Sequence, residues 1–396
     1  MPERPILMTP GPTEIPLQVL QAMVKPSIVH HDPAFNVEVL DRTLIDLRKV
    51  FQTENEVIAM PGSGRTALEA AITSVIDKGD RVLCVVAGVF GGWMKEMVDR
   101  IGGEGVLFEF EWGRSIDLKA LDATLRGGKF KALTIVHNET SAGTAYPIQQ
   151  IGEMAVKHEV LYLVDTVSSL GGVDIRTDAW GIDLNMTASH KCLAAPLGVA
   201  LNSISSRAWE VMERRRTPAA SFSLDLLRWK KMWLPPDRGG ELIYGWRRQP
   251  VSMPVHAVYA LHEATNLILE EGLENRFRRH RISARAMRAA VGALGLELFA
   301  DRAVWSDTLT CVKLPETVPA KETIRIMKEE HGIVVAGGLP PRAENNIRIG
   351  HMGLTASPMY IFPTIAALEA TLSSLGYKFH RGQGLEAAEE AFGQDK

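Results

Sequence analysis

At 396 residues the chain is too long for one small core and suits a large α/β unit with a smaller partner. Its formal net charge of −3, with both signs interspersed, offers no field for nucleic acid or an anionic membrane, and no apolar run approaches bilayer-spanning length. Cys84, Cys192 and Cys311 are scattered and odd in number, no CxxC or His-rich spacing suggests a metal, and neither the opening MPERPILMTPGPTEIP nor the closing GQDK reads as a secretory or peroxisomal address, so a cytoplasmic protein is expected.

Residues 1–18 form an arm whose TPGPTEIP excludes regular helix and predicts an extended path across another part of the molecule. His30-His31-Asp32-Pro33 is a turn, read as a surface feature, before an amphipathic helix from about Ala34 to Phe51. From Val57, continuously apolar runs (VIAM, RVLCVV, KALTIVH, VLYLVD, VALNSIS) alternate with helical patterns such as Leu68-Ala71-Ile72-Val75 and Trp93-Met94-Met97-Val98. That alternation predicts a mostly parallel sheet covered on both faces.

Residues 214–254, rich in Pro, Arg and Trp, break the alternation and read as an active-site loop or a subunit contact. A long helix from about Val255 to Glu271 ends at Gly272. The basic run Arg276–Arg288 has apolar residues at helical spacing and reads as a solvated helix face. The expected division is an arm over 1–18, a large domain over 19–272, a small α+β domain over 273–380, and a loosely held tail over 381–396 with a possible short helix.

The chemistry is concentrated where apolar runs end. VLYLVD ends in Asp165, and a second run ends near His190 and Lys191, so a carboxylate and an amine stand at the crevice edge of an open α/β sheet. Lys191 lies among Ala188, Ser189, Leu193, Ala194 and Ala195, which solvate an ammonium poorly and predict a lowered pKa and a nucleophilic amine. Pro61-Gly62-Ser63-Gly64-Arg65-Thr66 follows a strand and opens a helix, so its backbone N–H groups suit a phosphate. It matches neither GxxxxGK[ST] nor GxGxxG, which disfavours nucleotides. Amine, carboxylate and phosphate cup together are what pyridoxal 5′-phosphate requires, and Phe90 in AGVFGGW is a candidate to stack on its ring.

PGPTEIP, GSGRTALEAA, VHNETSAGT, VDTVSSLGG, SHKCLAAPLG and NIRIGHMG occur in this order over nearly the whole chain. On these motifs the sequence resembles the class V aminotransferases of fold type I, in the alanine-glyoxylate, serine-glyoxylate and serine-pyruvate group. The resemblance implies a pyridoxal-phosphate transaminase that moves an amino group from alanine or serine to glyoxylate or pyruvate. It makes Lys191 the Schiff-base lysine and Asp165 the partner of the pyridine nitrogen, with Val167 under the ring and Phe90 above it. It assigns the phosphate loop to Ser63, Gly64 and Arg65, a hydroxyl near the ring to Thr140, and a polar place beside the lysine to His190. Arg348 would grip the substrate carboxylate.

The same resemblance implies a homodimer in which a segment matching Gln249 to Pro254 completes the neighbour's phosphate site, through Ser252 in this chain. Gln249 and Ser252 stand where relatives often carry Tyr and Thr. DPAF, KCLAAP, RIGHMG and the RGQGLEAA tail also look like pyridoxamine-pyruvate transaminase, but Ser63 and Leu339 replace the glutamate and arginine expected there. Ureidoglycine-glyoxylate transaminases share the motifs as well. A lyase or desulfurase on this fold would need a cysteine on a mobile loop, and Cys311 in LTCVKL and Cys192 beside the lysine do not suit that role.

Overall fold

Seven strands form the central sheet of a computed structural model that describes residues 5–215, 217–341 and 345–394. The first residues of the expected arm, Arg216 of the expected loop and the end of the expected tail lie outside the described residues. Across the sheet the order is Glu56–Gly62, Gly198–Ile204, Leu184–Ala188, Leu161–Asp165, Ala132–Val136, Arg81–Val86 and Glu104–Glu109. Six strands run one way, and Gly198–Ile204 is antiparallel to both neighbours. Leu161–Asp165 and Leu184–Ala188 are buried along their whole length, as strands covered on both faces must be.

The parallel arrangement has one consequence for chemistry. The strands ending at Gly62, Val86, Val136, Asp165 and Ala188 all release their chains at the same edge of the sheet, where ligands of open α/β folds bind.

A second core lies around a four-stranded antiparallel sheet, ordered Glu297–Leu298, Leu309–Lys313, Asn346–Gly350 and Ala336–Gly337. Helices Leu273–Ala293, Ala320–Glu329, Pro358–Ser374 and Gln383–Gly393 contribute its apolar faces. The N-terminal arm crosses onto this core: Ile6–Leu7 pairs in parallel with Ile333–Val334, Met8 is fully buried, and Gly350 N–H donates to the Met8 carbonyl at 2.7 Å.

Four local expectations change. The predicted helix over 34–51 begins with a π turn, Phe35–Asp41, before the α-helix Arg42–Phe51. The wider turn directs Phe35, Asn36, Leu40 and Asp41 inward together, and Asn36 finds a buried partner in Gln249 while Asp41 pairs with half-buried Arg238 and Arg247. Within 214–254 a helix forms at Leu226–Trp233, capped by Asp225 and held by the burial of Leu226, Trp229, Met232 and Trp233. Its apolar face was obscured by the surrounding Arg and Pro.

The tail helix Gln383–Gly393 is docked rather than loose. Gly384, Ala388 and Ala391 are small enough to let it lie close against Leu273–Ala293. The basic run is a solvated face only in part: Arg278 and Arg281 are exposed, whereas Arg276 and Arg279 turn inward. Arg276 is buried and donates to the carbonyls of Gly171 and Cys192, each at 2.6 Å, while Arg279 reaches the carbonyls of Gly353 and Ala356. Glu271 neutralises both guanidinium groups.

Candidate active site

The strand ends converge on one cleft lined by Ser63, Gly64, Arg65, Leu68, Phe90, Val136, Asn138, Thr140, Asp165, Val167, Ser168, His190 and Lys191. It encloses about 110 Å³. A larger hollow of about 540 Å³ lies by Asp77, Lys78, Lys131 and Arg215. There Lys131 pairs with Asp80 and Arg215 with Asp77, so the smaller cleft carries the more reactive groups.

Asp165 is the last residue of its strand, and its Oδ1 accepts the Val167 N–H at 2.7 Å. Burial is the largest influence on its carboxyl and pushes the pKa up to about 7, with nearby Glu139 adding to the rise and Lys191 opposing it. Lys191 lies just past the strand that ends at Ala188, in the following turn rather than on the strand. Desolvation lowers its amine to about 8, as its small apolar neighbours predict. Its Nζ donates to the Pro10 carbonyl, so the N-terminal arm passes directly over the amine. Arg276, which sequence reasoning left on the surface, fixes the turn from below by holding the Cys192 carbonyl.

The glycine-rich turn meets expectation in its backbone. Ser63 precedes the helix Gly64–Val75 and donates its N–H to Thr66 Oγ1 at 3.1 Å. A Cβ on Gly64 would stand 2.6 Å from Val167 Cγ2, so the absence of a side chain lets the helix start approach the residue beneath the cleft. The Arg65 guanidinium stacks on Trp93 at 4.6 Å, and the helix start leaves N–H groups without an intrahelical acceptor. His190 is mostly buried, its Nδ1 has no partner, and burial holds its pKa down near 4.

Phe90 lines the opposite side of the cleft, with its ring edge-to-face against Trp93 at 4.9 Å. Thr140 is buried in the cleft wall, and its carbonyl accepts Arg348 Nη1 at 3.1 Å. Arg348 Nε donates to Gly337 O at 2.7 Å, and among the described residues no carboxylate pairs with this guanidinium. Burial lowers its pKa from the ordinary arginine value. Ser252 is not brought to this cleft: it is exposed, and the neighbouring Gln249 is buried against Asn36 of its own chain.

Leu68, Val136, Asn138 and Ser168 also line the cleft without having been singled out from sequence. Asn138 and Ser168 lie inside motifs already quoted; Asn138 Nδ2 donates to Ser168 Oγ at 2.9 Å and to Thr308 Oγ1 at 3.1 Å, tying the cleft to the second core. The buried carboxyl, the unpartnered imidazole nitrogen and the glycine-opened helix start fit a cationic ring carrying a phosphate. Among the described residues no group of three or more His, Cys, Asp or Glu is placed to hold a metal ion. None of the described helices is long and apolar enough to cross a membrane.

The sequence model of the aminotransferase class V family matches residues 6–340. The chain belongs to the class V aminotransferases. This class V aminotransferase is 40% identical to an uncharacterized aminotransferase of Methanocaldococcus jannaschii over 97% of each chain. The ureidoglycine-glyoxylate aminotransferase structure from Bacillus subtilis superposes with a TM-score of 0.93 at 32% identity, covering 99% of each chain. The alanine–glyoxylate aminotransferase structure from Nostoc sp. gives 0.88 at 37% identity, covering 94% of this chain and 96% of that one. The fold is therefore that of the pyridoxal-phosphate-dependent aminotransferases, and pyridoxal 5′-phosphate is the cofactor of this class V enzyme. Its reaction is transamination between an amino acid and a 2-oxo acid.

Proposed function

We propose that this aminotransferase takes the amino group of a small amino acid, alanine or serine, and delivers it to glyoxylate or pyruvate by ping-pong turnover. The observation that carries the reading is the meeting of Asp165, Lys191 and the Gly64 helix start in one cleft, with Arg348 bonded to the carbonyl of Thr140 in its wall. When bound, pyridoxal phosphate supplies an electron-withdrawing ring that stabilises negative charge at the substrate Cα.

The chain's own residues divide the rest of the work. Lys191 would hold the cofactor and, as a neutral amine, move the proton from substrate Cα to the cofactor's C4′; its lowered pKa makes that form accessible near neutrality. Asp165, as a carboxylate, holds the proton on the pyridine nitrogen. Backbone N–H groups at Gly64 and Arg65, with the Ser63 hydroxyl and His190, receive the phosphate. Phe90 and Val167 bracket the ring, Thr140 offers a hydroxyl beside it, and Arg348 orients the substrate carboxylate by a bidentate pair.

Donors related to ureidoglycine and pyridoxamine remain alternatives, and Ser63 in the phosphate loop favours the phosphorylated cofactor over the free vitamin. A cysteine-dependent lyase is disfavoured: Cys192 and Cys311 are buried, and desolvation pushes both thiols to about 12. The test is a panel of amino donors against glyoxylate and pyruvate, read by the cofactor's visible spectrum. Alanine and serine should be the fastest donors, and Lys191→Ala should lose about 10²–10⁴-fold in kcat together with the borohydride-sensitive absorption. Sulfide release from cysteine, or full turnover by Lys191→Ala, would refute the reading.

We further propose a cytoplasmic homodimer. Val24, Val29, Val37, Ile243, Tyr244 and Trp246 are exposed apolar side chains, and the two stretches that carry them are joined through His31–Trp246 and Asn36–Arg247 contacts. In this arrangement Ser252 would serve the neighbour's phosphate site. The domain division we favour keeps the large unit at 19–272 and the small one at 273–380, with arm 1–18 and tail 381–396 set apart.

A further inference from the structure

Glu139 is a carboxylate that the transamination chemistry does not itself require. It sits in the short hairpin Asn138–Glu139 and Thr144–Ala145, is 1% exposed, and has no cationic side chain bonded to it among the described residues. Its partners are N–H and O–H groups. Oε2 accepts the backbone N–H of Phe90 and of Gly91, each at 3.1 Å. Oε1 accepts Ser141 N–H at 3.1 Å and Ser141 Oγ at 2.5 Å, while Ser141 Oγ in turn accepts the Val89 N–H at 3.1 Å.

These contacts place an anion on the N-terminus of helix Val89–Arg100, whose first turn has unpaired N–H groups and the positive end of the dipole. Room for it depends on Gly88: a Cβ there would lie 2.4 Å from Glu139 Cδ and from Ser141 Oγ. Burial pushes the Glu139 carboxyl up, and its hydrogen bonds push it back toward the charged form.

Both ends of this latch open onto the cleft. The helix start carries Phe90, whose ring lines the cleft and rests on Trp93. The residue after Glu139 is Thr140, whose carbonyl holds Arg348 Nη1. We propose that Glu139 is a positioning residue of the transaminase site, its buried carboxylate locking the ring-facing Phe90 and the Arg348-holding Thr140 into one unit. The proposal rests on the function proposed above, and it adds that the ring face and the carboxylate grip are set by the same anion. Glutamine cannot replace it, because an amide nitrogen would turn a donor toward either the Phe90 and Gly91 N–H groups or the Ser141 N–H.

The test compares the unaltered protein with Glu139→Gln, Ser141→Ala, Phe90→Ala and the Glu139→Gln/Phe90→Ala double variant. Cofactor binding to apoprotein is read by tryptophan fluorescence, the bound cofactor by visible circular dichroism, and KM and kcat with the best amino donor. Cofactor binding by the unaltered protein tests the underlying function by itself. Glu139→Gln should weaken pyridoxal phosphate binding roughly tenfold or more, reduce the dichroic band and raise KM more than it lowers kcat. In the Phe90→Ala background it should add little to the loss of cofactor affinity, because both act through one contact. Ser141→Ala should shift the same readings in the same direction by a smaller factor, and it carries the test if Glu139→Gln does not fold. A lowered melting temperature with affinity, dichroism and KM unchanged, or full additivity with Phe90→Ala, would overturn the proposal.

Discussion

Asp165 and Lys191 leave their ordinary pKa values in opposite directions for one reason: each loses water on entering the cleft, and each is then less able to carry charge. The sign of the effect can be measured on apoprotein. The Asp165 pKa is about 7 in the folded chain, against about 3.9 when unfolded. Between those values the folded state binds the extra proton, so this group's contribution to stability is present below about pH 4 and is lost as pH rises through about 7. Asp165→Asn removes that loss, and denaturant melts at intervals over this range should show the variant gaining on the unaltered apoprotein as pH increases. Lys191 runs the other way. Its amine is neutral above about 8, so borohydride-trapped capture of pyridoxal phosphate by apoprotein should accelerate as pH rises through that value and then level off.

Elements bring these groups together because five strand ends face one way, and the helices that follow depend on close contacts with their surroundings. Helix Gly64–Val75 can start against Val167 only because Gly64 has no side chain. At Gly152 two effects compete. Gly152 lies inside helix Ile148–Lys157, where alanine would gain about 1 kcal/mol of helix propensity. A Cβ there would stand 1.9 Å from the Trp180 carbonyl, however, and overpacking of this kind costs about 1–3 kcal/mol. The contact is with backbone, which cannot rotate away, so Gly152→Ala should lower the melting temperature. The helix at Leu226–Trp233 and the docked tail helix show the limit of local pattern: both owe their place to a buried face, supplied by two tryptophans in one and by small residues in the other.

At the scale of the whole molecule, the arm over Lys191, the Asn138 to Thr308 bond and the Arg276 and Arg279 clamp join the two cores around the cleft. The exposed apolar strip through Trp246 is where the proposed dimer would form. Trp246→Glu places a charge in that strip, and light scattering should show a shift from dimer to monomer; a Trp246→Glu protein that stays dimeric places the interface elsewhere. The sequence by itself determined the α/β alternation, Asp165 and Lys191 at the crevice edge, and the glycine-opened helix, because each is written in a contiguous run of residues. Only the tertiary structure decided that Arg276 turns inward beneath the lysine, that Glu139 caps the Phe90 helix, and that Gln249 is buried against Asn36. Each of those side chains is polar and meets partners 48 to 213 positions away in the chain. Local periodicity carries no record of such a partner, which exists only once the strands have stacked.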